Sequence, residues 1–252
     1  MSFTNEVLAA YYGALPEVYG WDALCHMDLP KELPHKTALD VACRRGKGVY
    51  KLAEQVGAHG KALGVDWRVD MLDKAREGEE RAVQKCGYEQ SNMSFFLAFP
   101  EQLTQVVEEG SVDFAYLNCV LNLFCNPVGA LGQIRRVLAP GGLLVCDTVL
   151  ATGPRKAAVV AEARKLGNAV QAAPHRKDLM SWLASAGFDI TSIGTEVSQT
   201  VDPDWNADGE PTIPVVESDE PVSFVATSVR IYTPDDIDRH SRKLVKDISQ
   251  FR

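Results

Sequence analysis

The chain has 252 residues, 46% of them hydrophobic and 24% charged, with a formal net charge of −8 and a pI near 5.2. That apolar mass suffices for one sizeable α/β core with a smaller lobe, and the acidic balance argues against nucleic-acid binding, which needs clustered Lys and Arg. No run approaches the roughly 18 apolar residues of a membrane helix, and the first residues lack the basic and apolar regions of a secretory signal, so a cytoplasmic protein without a membrane partner is expected.

From about residue 37 to 150, apolar runs alternate with amphipathic ones, the pattern of βαβ units around a parallel sheet. Residues 37–41 read as a first strand. Residues 49–56 read as a helix, with Val49, Leu52, Ala53 and Val56 at helical spacing. Residues 61–65 form the second strand, 69–86 a helix with a charged face, 93–97 the third strand and 112–117 the fourth. Residues 128–138 read as a helix stopped by Pro140-Gly141-Gly142. A fifth strand over 143–149 is mostly apolar around Asp147, as a strand covered on both faces should be.

Beyond residue 150 the texture changes. Residues 156–166 and 175–186 read as helices, while 188–196 and 222–232 alternate like antiparallel strands able to form an edge hairpin. Residues 201–221 carry seven carboxylates, four prolines and no Lys or Arg. Two readings stay open there, a solvated loop and a mobile acidic lid. The organisation expected is an N-terminal helical segment (1–35), a Rossmann-like cofactor-binding domain (36–150) and a C-terminal substrate lobe (151–252). The fold class expected is α/β, doubly wound and mostly parallel, with an antiparallel edge.

Open α/β sheets bind ligands at the carboxyl ends of their strands, where strand order reverses. Three segments meet that condition. The turn Asp40-Val41-Ala42-Cys43-Arg44-Arg45-Gly46 follows strand one. Gly64-Val65-Asp66-Trp67 closes strand two, and Asp66 is a carboxylate able to take both hydroxyls of a ribose or, more plainly, to cap the next helix. Ala98-Phe99-Pro100-Glu101 follows strand three and suits an adenine ring or is simply a loop. Asp147 suits a substrate-orienting group, a base or a loop cap. The cysteines Cys25, Cys43, Cys86, Cys119, Cys125 and Cys146 are scattered, with no Cys-x-x-Cys pair, and read as free thiols. The histidines His26, His35, His59, His175 and His240 show no metal-ligand spacing, and no metal site is expected.

Taken in order, the Asp40 turn, Val65-Asp66, Phe99-Pro100-Glu101-Gln102-Leu103, Asn118-Cys119-Val120-Leu121-Asn122-Leu123 and Arg136-Val137-Leu138-Ala139-Pro140-Gly141-Gly142 resemble class I S-adenosylmethionine-dependent methyltransferases. Tyr11-Tyr12-Gly13, Val49-Tyr50, Leu166-Gly167-Asn168-Ala169 and Phe224-Val225-Ala226-Thr227 are similar to the arsenite methyltransferase branch. The resemblance implies S-adenosylmethionine as cofactor and a small-molecule methyl acceptor. It implies that Asp66 binds the ribose, that Phe99 and Pro100 flank the adenine, and that the turn from Asp40 to Gly46 holds the methionine end. Asn118 and Cys119 would line the floor beneath the sulfonium.

Two departures qualify this. Where the family turn reads Asp-x-Gly-x-Gly-x-Gly, this chain has Ala42 and Arg44 and keeps only Gly46. Arg44 and Arg45 then either face solvent, pair with an anionic part of the ligand, or fill the pocket. Lys165 stands where the resemblance implies a partner thiol to Cys119, which argues against arsenite methylation. A ligand-binding protein on a methyltransferase-like fold is the alternative to an enzyme.

Overall fold

The computed structural model describes residues 4–16, 29–30, 33–204 and 214–234. The helical segment expected over 1–35 falls only partly within them, and Cys25, His26, His240 and residues 205–213 of the acidic stretch lie outside. Among the described residues the order is α1 (Asn5–Ala14), β1 (Thr37–Val41), α2 (Lys47–Val56), β2 (Lys61–Asp66), α3 (Val69–Cys86), β3 (Met93–Leu97), β4 (Val112–Asn118), α4 (Pro127–Val137), β5 (Leu138–Ala151), α5 (Ala157–Lys165), α6 (Arg176–Ser185), β6 (Gly194–Val201) and β7 (Phe224–Tyr232).

The strands form one seven-stranded sheet in the order β3-β2-β1-β4-β5-β7-β6. The first five are mutually parallel, and β7 runs antiparallel to both β5 and β6. This is the expected Rossmann-like mixed sheet. Its central strands are apolar on both faces because both are covered. Leu39, Val41, Ala115, Leu117, Leu144 and Cys146 meet α4 and α6 on one side. Ala38, Phe114, Tyr116 and Val145 meet α2 and α3 on the other. Val49, Leu52, Ala53 and Val56, the one apolar stripe of α2, are fully buried, each large side chain contributing roughly 1.5–3 kcal/mol.

Two expected boundaries shift for local reasons. The strand expected over 188–196 begins only at Gly194, because Asp189 Oδ1 accepts the Thr191 amide (3.0 Å) and hydroxyl (2.6 Å). That side-chain turn competes with a strand ladder and builds a short 3-10 turn over Ile190–Ser192 instead. The fifth strand begins at Leu138 rather than 143. Its pairing with β4 jumps from Val112↔Leu138 to Phe114↔Leu143, so Pro140-Gly141-Gly142 is an excursion within the strand. Thr233 closes it, its hydroxyl on the Ala139 carbonyl (2.6 Å) and its amide on that of Gly142 (2.8 Å). The β6–β7 pair is antiparallel as expected, but β7 lies inside the sheet and β6 forms the edge. No helix of the described residues is long and apolar enough to cross a membrane.

Candidate active site

The turn between β1 and α2 keeps a glycine-type backbone with only one of the family's glycines. Ala42 has φ 63°, Arg44 49° and Gly46 77°. The left-handed conformation costs a residue with a Cβ about 1–2 kcal/mol, so strain is held at Ala42 and Arg44, as functional turns often hold it. The Ala42 and Cys43 amides both donate to the Val65 carbonyl (2.8 and 3.1 Å), which ties the turn to β2. A Cβ on Gly46 would lie 2.9 Å from that of Ala75, and one on Gly48 only 2.1 Å from Asp40 Oδ2. The start of α2 is therefore pressed against the Asp40 carboxylate, and Gly48 permits it.

Asp40 and Asp66 are both buried, with 4% and 2% of their surface exposed. Asp66 is locally satisfied: Oδ2 accepts the Arg44 amide (2.8 Å) and Oδ1 the Arg68 amide (2.9 Å). Each oxygen retains a second acceptor site. Burial raises its pKa, opposed by those two amides. Asp66 does not cap α3, whose N-cap is Arg68. Asp40 has no hydrogen-bond donor among the described residues, and burial, then the charge of Asp66, push its carboxyl up to about 8. Arg44 is half-buried and Arg45 exposed.

Over the ends of β2 and β3 lies an aromatic cluster contributed partly by α1. The Tyr12 ring stacks on Phe99 (5.4 Å between centroids, 14° between planes) and leans on Trp67 at 4.4 Å. Its hydroxyl donates to Glu101 (2.9 Å to Oε1), whose Oε1 also accepts the Asn126 amide (3.0 Å). Burial raises the Glu101 pKa against those bonds. Tyr11 donates to the Leu123 carbonyl at 2.9 Å. Pro100 is buried at the start of the 3-10 turn Pro100–Gln105. Helix α1 is thus fastened across the carboxyl edge of the sheet by groups about ninety to a hundred and ten positions away in sequence, a closure that no local pattern announces.

The pairing register puts Asp40 beside Tyr116 and Asn118 beside Asp147, so these four share one face of the sheet. Tyr116 donates to Asp147 Oδ2 at 2.6 Å in a buried bond. Burial and then the Asp147 charge hold the phenol well above its usual range. Asn118 Oδ1 is buried with no hydrogen-bond partner. Cys119 has φ 53° and donates its amide to the Asp147 carbonyl (2.8 Å). Cys43, Cys86, Cys125 and Cys146 are free thiols as expected, but Cys119 is disulfide-bonded, which corrects that expectation at the one cysteine on the site floor. Around it Val149, Ala151, Ala169, Val170, Ala173 and Phe224 form an apolar cluster. Asn122 staples this region: its Nδ2 donates to the Val149 and Ala169 carbonyls (both 2.9 Å), and its Oδ1 accepts from Thr148. Lys165 stands away from the cluster, exposed and paired with Glu162 at 2.9 Å. Among the described residues no three His, Cys, Asp or Glu side chains converge as metal ligands.

The sheet order, the turn after β1 and the acid closing β2 define a class I Rossmann-like domain of the S-adenosylmethionine-dependent methyltransferase type. A methyltransferase-domain family profile matches residues 32–187, and the chain belongs to that family. It is similar to the arsenite methyltransferase of Halobacterium salinarum, 32% identical over 69% of this chain and 43% of that protein. With that of Aquipseudomonas alcaligenes it shares 33% identity over 58% of this chain and 39% of that protein. The chain thus spans about two fifths of the length of these curated relatives. The crystal structure of an arsenic(III) S-adenosylmethionine methyltransferase from Chlamydomonas reinhardtii superposes with a TM-score of 0.71 at 25% identity, covering 91% of this chain and 74% of that one.

The residues present fit the family's cofactor. Its ammonium matches the donorless Asp40 carboxylate, its ribose the spare acceptor sites of Asp66, and a further donor would satisfy the orphaned Asn118 Oδ1.

Proposed function

We propose that this protein transfers a methyl group from S-adenosylmethionine to a small molecule. The observation that carries this is the meeting, at the carboxyl ends of β1, β2 and β4, of a glycine-type turn with two acceptors, Asp40 and Asn118 Oδ1, that have no donor among the described residues. When bound there, the cofactor supplies an electrophilic methyl on a sulfonium. The chain's own part is to bind and align. Asp40 holds the ammonium, Asp66 the ribose hydroxyls, and Trp67, Phe99 and Pro100 flank the adenine. Ala42, Arg44, Arg45 and Gly46 surround the methionine end, where an arginine fork suits its carboxylate. Asn118 and Cys119 form the floor.

Methyl transfer of this kind needs alignment more than acid–base chemistry. Asp147 is the group available to take a proton from a protic acceptor, since Tyr116 occupies only its Oδ2. Arsenite is not the acceptor we propose: Lys165, standing where a partner thiol to Cys119 would be needed, is exposed on a surface ion pair.

Isothermal titration with S-adenosylmethionine and S-adenosylhomocysteine tests this reading. Micromolar binding by the wild type, lost in Asp66→Ala, is the expected result. The second reading, a repurposed binding domain, draws on Arg44 in the turn and on Tyr12 occupying the faces of Trp67 and Phe99. Absence of binding by the wild type would select it.

A further inference from the structure

Arg164 is a cation beside the site with hydrogen-bond donors that no described residue uses. Arg164, half-buried in the last turn of α5, donates Nε to the Asn122 carbonyl at 3.0 Å. Its two terminal amino groups make no hydrogen bond or ion pair with any described residue. The residue whose carbonyl it holds, Asn122, is 1% exposed, and its side chain is bonded to β5 and to Ala169. That carbonyl is three residues beyond Cys119. Tyr11 holds the next carbonyl, that of Leu123, at 2.9 Å. The guanidinium therefore sits at the loop that leaves the site floor.

The contrast with neighbouring cations is informative. Lys165 turns to solvent and Glu162, and Arg155 spends its donors on Glu220 and two carbonyls. Complementing the dipole at the end of α5 would not require Nε to reach Asn122. The half-buried guanidinium leaves its terminal donors open to a ligand, and its planar fork matches a carboxylate.

We propose that Arg164 is a specificity residue that binds a carboxylate on the methyl acceptor. This rests on the methyl-transfer reading above and names its substrate class: small carboxylic acids rather than a metalloid.

The test is calorimetric titration of the S-adenosylhomocysteine-loaded protein with acetate, benzoate and citrate, and with acetamide and benzamide as neutral counterparts. At least one acid should bind about tenfold more tightly than its amide. Arg164→Gln should erase that preference while keeping S-adenosylhomocysteine affinity. Arg164→Lys, which keeps the charge without the fork, should restore only part of it. Acids and amides binding alike, no acid binding at all, or an unchanged preference in Arg164→Gln would each overturn the proposal. Failure of the underlying reading is seen separately, in the first titration, as a wild-type protein that takes no S-adenosylhomocysteine.

Discussion

Asp40 shows how burial sets the chemistry of one carboxyl. An unfolded aspartate loses its proton near pH 4, whereas here desolvation and the nearby Asp66 hold the proton until about pH 8. Between those values the folded chain carries a proton that the unfolded chain does not. The contribution of Asp40 to stability is therefore full below about pH 4 and declines as the pH climbs through about 8. A cofactor ammonium has the opposite preference, since it favours the charged carboxylate. Affinity for S-adenosylhomocysteine should rise towards pH 8, and binding at pH 7 should release a proton. Titrations in buffers of different ionisation enthalpy measure that release, and Asp40→Asn should abolish it while flattening the pH dependence of unfolding. Equal proton release in wild type and variant would place the titrating group elsewhere.

At the level of elements, the turn after β1 separates what a motif search sees from what the backbone does. The left-handed backbone persists at Ala42 and Arg44, and its strain is testable. Arg44→Gly should raise the urea midpoint by the equivalent of about 1 kcal/mol with an unchanged slope. A lower midpoint would mean that the arginine's own contacts outweigh the strain. Most elements were legible because their cues are local: the stripe of α2 and the apolar runs of β1, β2 and β4. The acid closing β2 could be located for the same reason. The Tyr12–Glu101 bond, the Arg164–Asn122 bond and the Tyr116–Asp147 pair could not, since each joins residues 31 to 89 positions apart. The sequence around Asp189 alternates like a strand, and only its side-chain turn reveals why β6 starts later.

Across the whole molecule, the acidic stretch is held by cations it lacks. Arg155, just before α5, forms a buried ion pair with Glu220 (3.0 Å, both side chains 4% exposed), donates to the Gln171 and Ala173 carbonyls at 2.8 Å, and lies over the Phe224 ring. Gln171 pairs in both directions with the Val216 backbone, and Asn168 donates to the Pro203 and Pro214 carbonyls. Both described ends of the stretch are thereby fastened beside the apolar cluster containing Cys119. These anchors, Arg155, Asn168 and Gln171, all lie outside residues 201–221, where the composition of the stretch gives no sign of them. Removing one partner of a buried pair strands the other charge, at about 3–5 kcal/mol, whereas replacing both with apolar groups costs far less. Arg155→Met and Glu220→Met should each lower the unfolding midpoint strongly, and the double variant should recover a large part of the loss. Hydrogen exchange should locate the single-variant loosening at residues 168–173 and 214–226, leaving β1 and β2 protected. Because the first strands and the Asp40 turn are built without this clasp, S-adenosylhomocysteine binding should survive in the single variants at temperatures where they remain folded. Loss of binding there would instead make the clasp part of the cofactor site's support.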